Sequence, residues 1–188
     1  MKSKDEIRYA IQRKRAGLTL GWIRDNSRKA VENLNKIELT RTAGAIAGYY
    51  AKGFEVQITP FMEKCLSEGR RVCVPRHRDE MPGYEWSWIV PAEAWRDGPW
   101  KIAEPARLRP VNRSEIEIAI IPAVAVDRQG RRLGHGGGNF DRLLSKLTCP
   151  KVAVVFEFQV MDEIPTEPHD VSIDFIVTEN ETYPVANQ

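Results

Sequence analysis

The chain has 188 residues, 42% of them apolar and 29% charged, with a formal net charge of +2. That length suits one well-buried domain, expected to span residues 1–188, and so small a net charge gives no argument for a nucleic-acid partner. No apolar run approaches the roughly 18 residues of a membrane helix, and no signal-peptide pattern opens the chain, so a cytoplasmic protein without a membrane partner is expected.

Residues 1–36 are heavily basic and the last thirty or so acidic, which reads as a solvated helix face at one end. Ser3 to Asn33 is expected as helix broken near Gly17–Gly21, because Ile7, Ala10, Ile11, Ile23, Ala30, Val31 and Leu34 recur at three- and four-residue spacing. Lys4 and Arg8 then share one helix face and could reach one anion together, although two solvated cations are the plainer reading. Thr42 to Tyr50 is small and apolar, as in a buried central strand. Glu55 follows it between Phe54 and Val56, where an open α/β sheet holds its ligands. Thr59 is expected to cap a helix with Pro60 in its first turn, running to about Ser67 and closed by Gly69. Arg71 to Val74 reads as a short strand ending at Pro75.

Residues 76–105 hold four of the five tryptophans. Tyr84 to Trp88 alternates as a β element, while Trp95 and Trp100 fall in loop-like sequence, lining a cavity or packing on the sheet. Ile116 to Val126 is the most apolar β-branched run. Lys151 to Phe158 and Val171 to Thr178 read as further strands, the last with Asp174 inside it. An aspartate there is either an edge charge facing water or a functional group. Cys65, Cys73 and Cys149 are widely spaced and odd in number, expected as reduced, packed thiols. Alternating helices and strands predict an α/β domain with a largely parallel sheet.

The densest signal is Gly130 to Arg142, where Gly134, Gly136, Gly137 and Gly138 fall within five positions between a strand and a helix. Backbone N–H groups at such a turn suit phosphate, with Arg131, Arg132 and His135 adding donors and Asp141 a carboxylate for a metal–phosphate complex. Neither the dinucleotide fingerprint nor the Walker lysine is present, so a tight surface loop stands as the bland alternative.

The run Ile120 to Leu144 resembles the signature of 5-formyltetrahydrofolate cyclo-ligases, also called methenyltetrahydrofolate synthetases. Five further pieces fall in order: Lys4–Arg8, Phe54–Val56, Gly69–Arg76, Trp100–Pro105 and His169–Glu179. The resemblance implies a single-domain, three-layer α/β/α sandwich with a largely parallel central sheet. It implies conversion of 5-formyltetrahydrofolate and ATP to 5,10-methenyltetrahydrofolate, ADP and phosphate, with Mg2+, by a monomer acting on a small-molecule substrate that can carry a polyglutamate tail. Phosphorylation of the formyl oxygen precedes ring closure by N10, so no protein nucleophile is needed.

By the same resemblance, Lys4, Arg8, Arg132, Leu133, Gly134, His135, Gly136, Gly137, Gly138, Asn139, Phe140 and Arg142 bind ATP. Lys4, Arg132 and His135 support the transition state, and Asp141 and Asp174 hold magnesium. Tyr50, Glu55 and Trp100 take the folate together with His135, Gly136, Gly137, Gly138 and Asn139. The family usually carries two aromatics before the aspartate, where this chain has Asn139 and Phe140. That change leaves open a catalytically weak paralogue acting as a folate or nucleotide sensor or reservoir, or a related N-formyl substrate. A sugar-phosphate isomerase or transferase on a similar scaffold and an RNA-binding module are more distant alternatives.

Overall fold

The computed structural model of the chain describes residues 2–80, 83–168 and 170–185, with the side chain of Trp100 left out of the description. Helix α1 (Lys4–Ala16) begins at a capping box: the Ser3 hydroxyl accepts the Glu6 N–H at 3.2 Å and the Glu6 carboxylate takes the Ser3 N–H at 2.7 Å. Gly17 ends it, and Thr19 caps α2 (Leu20–Leu34) by accepting the Trp22 N–H. The expected break therefore falls between Gly17 and Thr19. A five-residue α3 (Glu38–Thr42) takes the start of the expected first strand, leaving β1 (Ala45–Ala47) with Gly48 to Tyr50 beyond its C-terminal end.

Helix α4 (Thr59–Ser67) already includes Thr59, so the cap position moves to Ile58, which offers no side-chain bond, while Pro60 sits in the first turn as expected. Strand β2 (Arg71–His77) continues through Pro75. The proline is tolerated because β1 pairs β2 only as far as Cys73, so its missing N–H removes no ladder bond on that side. Strand β3 is Tyr84–Trp88, and Trp95 lies in a strand, β4 (Trp95–Asp97), that forms a hairpin with β5 (Ala103–Pro105). The long apolar run is split by Pro122 into β6 (Ile118–Ile121) and β7 (Ala125–Asp127). Then come β8 (Arg132–Leu133), α5 (Asn139–Leu144), β9 (Lys151–Val154), β10 (Val160–Met161), β11 (Phe175–Val177) and β12 (Thr182–Pro184). Asp174 precedes β11 instead of lying within a strand, and β12 is an additional strand beyond the one expected to be last.

The main sheet has the order β12-β11-β9-β6-β1-β2-β3. Its five central strands are parallel, and the edges β3 and β12 run antiparallel to their neighbours. Alternation of side chains makes the layers. Ile46, Val72, Val74, Ile118, Ile120, Val152 and Val154 point into a core with Ile23, Ala30 and Leu34 of α2 and Phe61, Met62 and Cys65 of α4. Ala47, Cys73, Ala119, Ile121, Ala153 and Ile176 face the other way, against Leu143 and Leu144 of α5. Both faces are covered, as a parallel sheet requires, and the expected three-layer α/β/α arrangement is what forms. A third cluster docks Ile7 and Ile11 of α1 on Leu133, Val124, Ala125 and Ile164, beside the small sheet β10-β7-β8.

The three thiols are free and buried. Among the described residues no helix is long and apolar enough to cross a membrane.

Candidate active site

From β1 the chain builds outward through β2 to β3, then returns to place β6, β9 and β11 on the other flank of β1. The direction of winding thus reverses between β1 and β6, and past the carboxyl ends of adjacent strands at such a point the sheet leaves a crevice. A cavity of about 370 Å³ lies there, lined by Tyr49 and Tyr50 after β1, Pro122 and Ala123 after β6, and Glu55. The glycine loop and Phe140 close one side, and Pro99, Ile102, Ala103 and Glu104 of the β4–β5 hairpin close another.

Glu55 is 5% exposed. One carboxylate oxygen accepts the Lys52 backbone N–H at 2.7 Å and the other lies 3.1 Å from His135 Nε2. A buried carboxylate is held by such bonds and still offers lone pairs to a donor-bearing ligand. Burial lowers the pKa of Arg15, and the nearby charge of Glu55 opposes that shift. The Tyr50 phenol is pushed up to about 12, first by burial and then by Glu63 and Glu93, so it stays protonated at neutral pH.

The loop's shape is set by two left-handed positions, Gly136 at φ 97° and Gly138 at φ 63°. Helix α5 has only six residues, so an anion at the loop would be held by the loop's own amides and cations more than by a helix dipole. Arg132 is buried and donates to Asp141 through Nη2, while its Nε is buried without a partner among the described residues. Arg142 turns back onto the loop, donating to the Gly137 carbonyl at 2.9 Å and to the Asn139 side chain. Arg8 Nε donates to the Gly134 carbonyl at 3.0 Å, tying α1 to the loop.

A second cavity of about 540 Å³ lies along α5, next to the last glycine of the loop. Gly138 and Asp141 line both cavities, and Arg142, Lys151 and Asp170 line the second. Lys4 Nζ reaches Asp170 at 2.7 Å and Glu167 at 3.4 Å. Loop, α1 and α5 therefore bring Lys4, Arg8, Arg132, His135, Asn139, Phe140, Asp141 and Arg142 to one region, with Tyr50 and Glu55 across the first cavity.

Some expected residues stand elsewhere. Leu133 is a core residue packed on Ile7 and Ile11, because strand alternation turns it inward beside Arg132. Gly136 is absent from the lining of either cavity, and its Cα faces the Arg8 guanidinium. Arg131 turns away from the loop to the fully buried Asp127, which needs a cation, and to Glu163. The Trp100 side chain lies outside the described residues. Asp174 lines neither cavity; its carboxylate accepts the N–H of Lys151, whose residue does line the second.

Among the described residues no group of three or more His, Cys, Asp or Glu is gathered to hold a metal ion. Asp141 Oδ2 and Asp174 Oδ1 accept no hydrogen bond there. Of the two, Asp141 borders both cavities and has the oxygen chemistry that Mg2+ takes from one carboxylate beside phosphate and water, while Asp174 borders neither.

The 5-formyltetrahydrofolate cyclo-ligase family model matches residues 1–179. The chain belongs to that family. Among relatives of these cyclo-ligases, that of Mycolicibacterium smegmatis is 30% identical over 94% of each chain, and that of Haemophilus influenzae is 28% identical over 90% of this chain and 94% of its own. The NMR structure of Aquifex aeolicus 5,10-methenyltetrahydrofolate synthetase superposes with a TM-score of 0.85 at 30% identity, covering 98% of this chain and 94% of that one. A Mycoplasma pneumoniae synthetase shares the fold at a TM-score of 0.74 and 24% identity. This cyclo-ligase is thus a ligase of folate one-carbon metabolism.

Several residues at the site escaped the sequence reading. Asp170 and Glu104 lie inside two motif pieces, H-D-V-S and W-K-I-A-E-P, whose unusual charges were signals of a kind. Lys52, Arg15 and Lys151 carried no local signal, because what marks them is a neighbour far along the chain.

Proposed function

We propose that the chain, acting as one unit over residues 1–188 and as a cytoplasmic monomer, converts 5-formyltetrahydrofolate and ATP to 5,10-methenyltetrahydrofolate, ADP and phosphate. The observation that carries this reading is the pair of neighbouring cavities that share Gly138 and Asp141. One is mainly enclosed by aromatic and aliphatic residues with two buried carboxylates, Glu55 and Glu104, of which Glu104 is engaged by Arg96 and the His77 N–H and Glu55 remains to face a pterin. The other is edged by Lys151, Arg142 and Asp141 and lies beside Lys4, as phosphates would want.

A formamide oxygen is a poor leaving group. In this reading the terminal phosphoryl of ATP passes to the formyl oxygen, N10 attacks the formyl carbon and loses its proton, and the C–O bond breaks as phosphate leaves. Such a transfer needs alignment and charge neutralisation. Glu55 accepts hydrogen bonds from the pterin edge, Tyr50 forms a wall and His135 stands over the reacting group. Lys4, Arg8 and Arg132 neutralise phosphate charge. Magnesium, when bound, would screen the phosphates from Asp141 and Asp174. Asn139 in a family aromatic position favours one second reading, a weakly catalytic paralogue that binds the same ligands.

The test mixes the protein with MgATP and 5-formyltetrahydrofolate and follows the near-ultraviolet absorbance of the methenyl product. Product should require both ATP and magnesium, and Asp141→Asn should lower the rate by about a hundredfold or more, the scale of losing one charge-stabilising group. A thermal melt of the variant separates lost chemistry from lost fold. Nucleotide and folate binding without turnover in the wild type would replace the ligase reading with the paralogue.

A further inference from the structure

Trp95 stands 39% exposed in β4, one of few large apolar side chains so open, yet its position is built and fixed. Its ring meets Tyr50 edge to face, with centroids 5.0 Å apart and planes at 74°. Tyr50 lines the first cavity, and Trp95 packs against this wall residue without itself lining the cavity. The hairpin that carries it is clasped to β2 by buried charges. Glu104, 2% exposed, accepts Arg96 Nε at 2.8 Å through one oxygen and the His77 N–H at 2.9 Å through the other. Arg76 reaches the Pro105 carbonyl at 3.0 Å, and Pro105 is the residue paired with Trp95 across the hairpin.

The first cavity, about 370 Å³, has the size of a small-ligand pocket, and a bicyclic pterin seated in it would direct its aryl–glutamate arm toward the opening. A T-shaped pair leaves at least one face of each ring free for a third.

We propose that Trp95 is a specificity-determining contact for the aromatic ring of the substrate's arm, supplying with Tyr50 an aromatic edge at the cavity mouth that Asn139 does not provide from the loop. This rests on the folate reading of the cavity. Trp95→Ala should raise the KM for 5-formyltetrahydrofolate about 2- to 12-fold, the span of one aromatic contact, leaving kcat and the KM for ATP unchanged. Trp95→Phe should restore most of it. Val90→Ala, similarly exposed at 37%, is the control and should change nothing.

Equilibrium dialysis with 5-formyltetrahydrofolate and with a 5-formyltetrahydropterin lacking the aryl arm decides the contact. Trp95→Ala should weaken only the first. Equal weakening of both, an unchanged KM, or the same rise in Val90→Ala overturns the proposal. If the wild type binds the folate without turning it over, the ligase reading fails while the dialysis still judges Trp95; if it binds neither ligand, both readings fall.

Discussion

Gly136 and Gly137 are neighbours with different duties. Gly136 holds φ at 97°, a conformation L side chains rarely adopt, and a Cβ there would lie 3.4 Å from Arg8 Cζ. Gly137 is not among the positive-φ glycines, and its added Cβ would meet only the end of the Asn139 side chain at 3.4 Å. Gly136→Ala should therefore be strained by about 1–3 kcal/mol through its backbone, which distorts the loop that Arg8 is bonded to. In a chain this size that lowers the melting temperature by roughly 2–10 °C. The KM for ATP should rise with it, while Gly137→Ala stays close to wild type. Calorimetry and ATP titration of the two variants side by side check this, and equal effects would refute the φ argument. At this scale the loop was legible, because four glycines in five positions have few other uses. Glu104 was not, because its partners His77 and Arg96 become neighbours only once the hairpin folds onto β2.

Helix α1 carries both N-terminal cations yet is held to the body by few apolar anchors, Ile7 and Ile11 against Leu133, Val124 and Ile164. Ile11→Ala removes one anchor that is 1% exposed, a change of about 2–5 kcal/mol for a buried isoleucine. Since the cluster is separate from the two sheet cores, the loss should appear as faster amide exchange in α1 and weaker ATP binding, with the central strands still protected. Exchange that accelerates equally in β1 and β6 would show α1 to be part of one cooperative unit instead. The helix itself could be read from its apolar spacing, and the capping box of Ser3 and Glu6 that starts it emerged only with the structure. Strand lengths could not. Whether Gly48 to Tyr50 stay in the ladder, or β2 continues through Pro75, depends on where the neighbouring strand stops. No single stretch of sequence contains that information.

The whole molecule buries several acids that are neutral when protonated, and this sets its response to alkali. Burial raises the pKa of Tyr49 well above its ordinary value and that of Tyr50 to about 12. It also pushes up the thiols of Cys65, Cys73 and Cys149. In the unfolded chain these groups titrate near about 8.5 for thiols and 10 for phenols. A folded pKa above the unfolded one means the native state keeps its proton longer. The stabilisation is complete below the unfolded values and is lost as pH climbs through the folded ones. The melting temperature should therefore be nearly flat from about pH 6 to 8 and fall steadily between about pH 9 and 11. At the acid end, the lowered carboxyls of Glu6 and Asp79 belong to solvent-screened groups, so that limb should be shallow. Tyrosinate absorbance separates burial from general loss of lysine charge. The Tyr49 and Tyr50 signals should appear together with unfolding, and the three thiols should resist alkylation until then. Ionisation of Tyr49 or Tyr50 near pH 10 in a still-folded protein would contradict this burial account.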